Sequence, residues 1–203
     1  MSSTTASFDA IYQRACDRKG GERNLTTLLS QPATPQALAE QPDSFYLANM
    51  SRCIFNAGFV WKIVTHKWPD FERVFLNFEP SILLRLSDEQ WEKFSSDERI
   101  IRHHKKIQTI KHNAQYLHDL SFDYNGFGDF LTQWPTDDQF GLLFELKQRA
   151  SRLGGMSGQY FLRRCGYDGY VLSKDVVLCL QDAGCDIANT PTAKRDFRVI
   201  QDT

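Results

Sequence analysis

The chain has 203 residues, with 24 Lys and Arg against 25 Asp and Glu, for a formal net charge of -1. That length suits one domain or two small lobes sharing a core, and 41% hydrophobic with 24% charged residues excludes a disordered or low-complexity chain. Near-neutrality also excludes a protein that coats nucleic acid or membrane through bulk charge, so any such partner must be held by a local patch.

Hydrophobic spacing is helical along nearly the whole chain and alternating strand patterns are nearly absent, so the expected fold class is all-α. Ser7 caps a first helix carrying Phe8, Ile11, Tyr12 and Ala15, which Gly20-Gly21 closes. Thr34-Pro35 opens a short second helix with proline at its favoured first position. The apolar segment from Phe45 to Val64, interrupted by Asn56 and Gly58, predicts a central buried helix or helix pair. Pro69 and Pro80 each start another short helix, and Ser87-x-x-Gln90 is a capping box. An amphipathic helix is expected from about Glu98 to Leu120, with Ile100, Ile101, Ile107, Ile110, Ala114 and Leu117 inside. Short helices follow over Phe127 to Trp134 and Gly141 to Ala150, then a Gly-rich link from Leu153 to Gly158, and a helix from Gln159 to Cys165. Ser173 caps Lys174 to Ala183, and Thr192 caps a last stretch from Ala193 to Thr203 that looks unfinished. With no repeat and no long linker, the expectation is a single domain over 1–203: an N-terminal helical arm at 1–41, and a helix-hairpin-helix at 146–165.

The five cysteines, Cys16, Cys53, Cys165, Cys179 and Cys185, include no C-x-x-C pair, which argues against a disulfide framework or a zinc ribbon. The N-terminus lacks a basic start and apolar core, and no apolar run approaches the ~18 residues of a membrane span. A reduced, cytoplasmic, soluble protein without membrane contact is therefore expected. No cofactor and no metal are expected either: His103 and His104 are adjacent rather than on one helix face, and no His-Glu-x-x-His is present.

Chemistry concentrates at the Gly-rich turn, Gly154-Gly155-Met156-Ser157-Gly158, flanked by Lys147, Arg149, Arg152, Arg163 and Arg164. Glycines admit a ligand close to the backbone and the following helix start offers free N–H groups, which suits a phosphate. A plain connector with a solvated basic face fits the same residues. A second basic run, Arg99 to His112, holds Arg102, Lys105 and Lys106 and no acid, a pattern suited to a DNA backbone or to a solvated helix face. Phe55, Phe59, Trp61, Trp68 and Phe71 form an aromatic group that serves either core packing or stacking on a flat ligand. Asp175 stands in the first turn of a capped helix, where a carboxylate also simply complements the dipole.

Cys53-Ile-Phe-Asn-Ala-Gly-Phe-Val-Trp61, Pro69-Asp-Phe-Glu-Arg-Val-Phe75, Phe78-Glu-Pro80 and Ile100-Ile-Arg-His-His-Lys-Lys-Ile107 together resemble the 3-methyladenine DNA glycosylase I family. The turn from Leu153 to Gly158 resembles the hairpin of the wider helix-hairpin-helix glycosylase superfamily, and the likeness runs from about Phe45 to Asp182. The resemblance implies a helical bundle with two lobes around a cleft. Its implied activity is monofunctional: a DNA glycosylase that flips out an alkylated purine of the 3-methyladenine kind and hydrolyses its N-glycosidic bond.

In that reading Trp61, Phe55, Cys53, Phe59 and Trp68 line the base pocket, and Asp175 is the catalytic carboxylate, about two residues nearer the turn than is usual in the superfamily. Gly154, Gly155, Ser157, Gly158, Arg152, Lys147, Arg102 and Lys105 grip DNA. Gln159 occupies the place of the Schiff-base lysine of bifunctional relatives, and an amide forms no imine. Cys53 stands where the best-known branch has a Glu that reads the base, and the N-terminal Cys motif of that branch's zinc clasp is missing, which implies a variant branch without zinc. The implied partner is duplex DNA containing alkylated bases, with no obligate protein partner and a monomeric state. Two other readings fit the residues: a non-catalytic helix-hairpin-helix protein that binds damaged or bent DNA, and a helical protein whose aromatic pocket holds a small ligand.

Overall fold

The computed structural model describes residues 7–202, which are helical with no strand among them. The helices fall into two compact units, one formed by the chain up to Pro32 together with the chain from Val171, the other by Ala33–Tyr170. Residues 33–41 of the expected N-terminal arm thus belong with the second unit.

In the first unit α1 (Phe8–Lys19) starts at Ser7, whose hydroxyl accepts the Ala10 N–H at 3.3 Å, and stops at Gly20 with φ 77°. A seven-residue helix without a capping side chain, α2 (Glu22–Leu28), packs back on α1, and Tyr12 Oη donates to Glu22 at 3.2 Å. Helix α2 carries no start signal beyond Gly21 and was not foreseen. Further along, α12 (Lys174–Asp182) is capped by Ser173, which accepts the Val176 N–H at 3.3 Å. The last helix, α13 (Lys194–Gln201), begins at Ala193 with no side-chain cap, so Thr192 does not have the capping role expected of it; Thr203 lies outside the described residues.

The second unit is built on α4 (Asp43–Asn56), which buries Tyr46, Leu47, Met50, Cys53, Ile54 and Phe55 along one side. Helix α3 (Pro35–Ala39) is capped by Thr34 and ends with its Leu38 carbonyl accepting the Tyr46 hydroxyl at 2.6 Å. After α4 the chain turns at Gly58, with φ 89°, into α5 (Trp61–Val74), so the long apolar segment is a helix pair. Pro69 does not start a helix as expected; it lies inside α5. Proline there forgoes a hydrogen bond to the Thr65 carbonyl, but both residues are exposed, and water can take up the freed oxygen.

The turn Leu76–Phe78 holds three non-glycine residues at φ 53–58°. Left-handed backbone costs such residues about 1–2 kcal/mol each, and the side chain of Phe78 offsets this by stacking on Trp68, with centroids 5.4 Å apart. Pro80 opens α6 (Pro80–Leu83), and Ser87 with Gln90 forms the expected capping box of α7 (Asp88–Phe94).

Helix α8 (His104–Leu120) starts about six residues later than its apolar pattern suggested. Asp97 accepts both the Arg99 N–H, at 2.9 Å, and the Arg99 guanidinium, which fixes a loop, and the His103 ring caps the helix by accepting the Lys106 N–H at 3.3 Å. Ile100 still plugs into the core from this loop. Next come α9 (Phe127–Gln133), whose first N–H is accepted by Asp43 of α4 at 2.8 Å, and α10 (Gln139–Arg149), capped by Asp138. The unit's final helix, α11 (Met156–Cys165), opens three residues earlier than expected, so Ser157 and Gly158 belong to its first turn. α4 is packed by α8, α9 and α11, which makes it the buried axis of the unit.

The aromatic core sits beside that axis. Phe71 of α5 has Phe55 at 4.7 Å edge-on, Trp68 at 5.4 Å stacked and Phe75 at 5.9 Å, all fully or almost fully buried. Deleting the ring removes the hub of this cluster, so Phe71→Ala is expected to cost about 3–5 kcal/mol in urea unfolding.

Candidate functional site

Two positions make the hairpin between α10 and α11 possible. Gly155 adopts φ 61°, ψ -135°, a conformation closed to side-chain-bearing residues. At Gly158 a Cβ would lie 2.4 Å from the Leu153 carbonyl oxygen, so the first turn of α11 closes onto the turn only with glycine there. Gly158 is buried, and its role is this close packing rather than the approach of a ligand expected of it. Ser157 is half-buried, while Gly155 and Arg152 are exposed.

The hairpin is anchored by α8. The Asn113 side chain, fully buried, accepts the Ser151 N–H at 2.7 Å and donates to the Ser151 carbonyl at 3.3 Å, and the His112 ring meets the Arg149 carbonyl at 3.1 Å. Two turns earlier on the same helix, Lys106 is also buried. Its ammonium donates to the carbonyls of Phe55, at 3.4 Å, and of Ala57, while lying 4.3 Å from the Phe59 ring centroid. Those carbonyls are among the orphan acceptors at the end of α4, so a cation there satisfies them and complements the helix dipole. Burial, with Arg152 nearby, lowers the affinity of this amine for its proton. Nothing in the sequence pattern distinguished Lys106 from its exposed neighbour Lys105, and Asn113 was not singled out at all.

Between the two anchored segments lies a pocket of about 350 Å³. The end of α4 gives it Cys53, Asn56 and Ala57, the start of α5 gives Trp61, and α11 gives Met156, Ser157 and Tyr160, with Arg163 and Arg164 beyond. Trp61 and Tyr160 form an aromatic corner, rings 5.9 Å apart and nearly perpendicular, and the indole N–H donates to the Asn56 carbonyl at 3.1 Å, which fixes its orientation. Trp61 remains 56% exposed and Tyr160 38%, so both offer ring surface to a flat ligand. The Cys53 thiol is pushed up to about 11 by burial, against the opposing pull of Arg164 and Arg52, and is therefore neutral at pH 7. Asn56 Oδ1 is enclosed and has no hydrogen-bond partner among the described residues.

The structure thus brings Cys53, Trp61 and Ser157 of the expected site residues to one cavity. Phe55 and Trp68 are not in its wall: both are spent in the aromatic core around Phe71, where apolar burial outweighs exposure to a ligand. Phe59 is half-buried between His103 and the Lys106 ammonium. Tyr160, Asn56 and Met156 were missed, although Tyr160 follows the Gly-rich turn by two residues and could have been found from helical spacing with Ser157.

The basic run at 99–112 is less uniformly positive than its sequence suggested, because folding returns acids to it. Arg99 pairs with Asp97, Arg102 with Glu98 at 3.6 Å and Lys111 with Asp88 at 2.6 Å. With Lys106 buried, Lys105 is its one exposed Lys or Arg without an acidic partner among the described residues. Around the hairpin Arg149 pairs with Glu145 at 3.0 Å, whereas Lys147, Arg152 and Arg163 are exposed without such a partner. Arg164 donates to Asn49 at 2.8 Å.

Asp175 belongs to the other unit, exposed in the first turn of α12 and without a hydrogen-bond or ion-pair partner among the described residues. Among the described residues no three His, Cys, Asp or Glu side chains gather as metal ligands. No helix among them is long and apolar enough to cross a membrane.

Removing the Asn113 amide leaves the Ser151 backbone groups unpaired, and Asn113→Ala is expected to cost about 2–4 kcal/mol in urea unfolding and to accelerate hydrogen exchange selectively at 150–155. Alkylation of Cys53 by iodoacetamide, followed site by site with mass spectrometry, should be slow at pH 7.5. It should rise about tenfold per pH unit toward its titration point.

Comparison with known proteins accords with this architecture. No curated protein sequence matches the chain significantly. Among solved structures, 3-methyladenine DNA glycosylase I in a complex with 3-methyladenine superposes with a TM-score of 0.57 at 17% identity, over 89% of this chain and 98% of that one. A second 3-methyladenine DNA glycosylase I gives 0.53 at 23% identity, over 66% and 85%. The Staphylococcus aureus 3-methyladenine DNA glycosylase I gives 0.54 at 20%, over 76% and 87%. These likenesses establish a shared helical fold. The sequence profile of the methyladenine glycosylases matches residues 41–148, which spans α4 to nearly the end of α10 and more than half of the chain. This chain therefore belongs to the methyladenine glycosylase family.

Proposed function

We propose that the protein is a monofunctional DNA glycosylase that extrudes an alkylated purine from duplex DNA and hydrolyses its N-glycosidic bond. The observation that carries this reading is the Trp61–Tyr160 corner of a pocket roomy enough for a purine, beside a helix-hairpin-helix turn, in a chain of this family. A base taken out of the stack loses its neighbours, and an aromatic corner replaces that stacking at about 1–3 kcal/mol per base. Lys147, Arg152, Arg163 and Lys105, without acidic partners among the described residues, supply phosphate contacts, with Arg102 giving up a weak exposed pairing to join them. The turn Gly154, Gly155 and Ser157 presents backbone N–H groups to the same strand.

Asp175 is assigned as the carboxylate that meets the sugar. It stabilises the positive charge that develops at C1′ and orients the attacking water, which adds its oxygen there as the bond to the base breaks. Gln159, buried at the start of α11, cannot form an imine with the sugar, which leaves hydrolysis by water and no strand cleavage. Resemblance to relatives described with 3-methyladenine supports a purine in the pocket.

One observation favours a second reading. The pocket wall holds a neutral thiol and no carboxylate, as a protein that binds damaged or bent DNA without breaking the glycosidic bond would require.

Release of free base from methylated duplex DNA separates the two. The native protein is expected to release base without nicking the strand, and Asp175→Asn to slow release by about a hundredfold or more at unchanged DNA affinity. Equal rates in the two proteins would end the assignment of Asp175, and DNA binding without any base release would establish the second reading.

A further inference from the structure

Within the glycosylase reading, on which this rests, we infer that Lys106 is a positioning residue: its ammonium holds the turn from α4 to α5 so that the Trp61 indole presents one fixed face to an extruded base. Lys106 lies outside the wall of the pocket, so it acts through other groups. The carbonyls of Phe55, Asn56 and Ala57 stand where α4 ends, beyond the reach of its own hydrogen-bond ladder. Two side chains meet them. The Lys106 ammonium takes the first, at 3.4 Å, and the third, while the Trp61 indole N–H takes the one between, at 3.1 Å. The same ammonium lies 4.3 Å from the Phe59 ring centroid and 5.7 Å from that of Phe55. Lys106 is buried, so carbonyls and ring faces replace much of the water around its charge.

An ammonium brings three N–H donors to this cluster and an indole brings one. While the ammonium is in place, the indole N–H is left to the Asn56 carbonyl. Without it, the carbonyl of Phe55, a fully buried residue, competes with that of Asn56 for the indole N–H, because a buried acceptor without a partner is unfavourable. The Ala57 carbonyl is released at the same time, which loosens the turn. Little else resists that change. The turn bends at Gly58, with φ 89°, α5 starts without a side-chain cap, and the exposed Trp61 ring meets Tyr160 edge to face. A ring whose plane is set in advance loses little freedom when a flat base stacks on it, and one that turns freely loses more. Lys106 thus pre-orders the stacking surface without touching the base.

Nuclear magnetic resonance of the full chain labelled with nitrogen-15 gives each indole N–H its own signal, and Trp61→Phe identifies that of Trp61. In Lys106→Met, which removes the donors and the charge, this signal is expected to move upfield, toward that of an indole without a hydrogen bond. An unmoved signal in folded Lys106→Met would overturn the inference, since a residue that serves stability alone lowers the unfolding midpoint and leaves the signal in place. Where Lys106→Met does not fold, Lys106→Gln, which keeps uncharged N–H donors, is read in the same way, with a smaller shift expected in the same sense. Single-turnover base release from methylated duplex DNA gives the second readout. Lys106→Met is expected to slow release about tenfold when Trp61 is present, and by less than about twofold in Trp61→Phe. A tenfold loss that persists in Trp61→Phe would show that Lys106 does not act through the indole. No release by the native protein would remove the glycosylase reading, and the indole signal would still decide what Lys106 positions.

Discussion

Everything at the candidate site depends on two polar side chains that α8 buries two turns apart. Lys106 holds the last carbonyls of α4, and Asn113 clamps both backbone groups of Ser151 at the entrance to the hairpin. A helix is a stiff rod with a rise of about 1.5 Å per residue, so two anchors seven residues apart hold their targets at a fixed separation. The pocket is the space between those targets. Burying an ammonium and an amide is unfavourable unless every hydrogen-bonding group is satisfied, and here each finds backbone partners that would otherwise be orphans. The same bonds that stabilise the fold therefore set the width of the site.

A division of labour among the aromatic residues follows from this frame. The rings nearest α4 and α5 on the core side, around Phe71, are consumed by packing, while Trp61 at the first position of α5 is left half open because its helix begins at the edge of the unit. Tyr160 reaches the same edge from α11, and the perpendicular meeting of the two rings leaves faces of both exposed. Charge is divided in a similar way. Acids at 88, 97 and 98 neutralise much of the 99–112 run, whereas near the hairpin and along α11 positive charge remains without acidic partners among the described residues. A near-neutral chain can thus carry a local basic surface beside an aromatic pocket, as a protein that grips DNA at one extruded base requires.

How much of this was legible in the sequence depended on whether the signal was local. Ser7, Thr34, Ser87 and Ser173 announced their helices correctly, because a cap bonds a backbone N–H within three residues of itself. The all-helical class was legible from apolar spacing; Cys53 and Trp61, which the resemblance puts in a base pocket, share one cavity wall with Ser157, which it puts against DNA. The start of α8 was misjudged because Ile100 keeps the apolar rhythm while Asp97 holds the backbone in a loop. Pro69 read as a helix start, since the exposure that lets α5 tolerate it is a property of the packed unit.

The sequence by itself determined the helical class, most of the caps, the glycines that close the hairpin, and the aromatic and basic composition from which a site had to be made. These follow from interactions within a few residues, or from the φ range and size of a single side chain. Only the tertiary structure decided that Phe55 and Trp68 are core while Trp61 is wall, that Lys106 is an anchor while Lys105 is surface, and that Arg163 and Arg164 face a pocket without a carboxylate. Burial and ion pairing are set by residues distant along the chain, so side chains of one chemical type acquire different functions only when the helices pack.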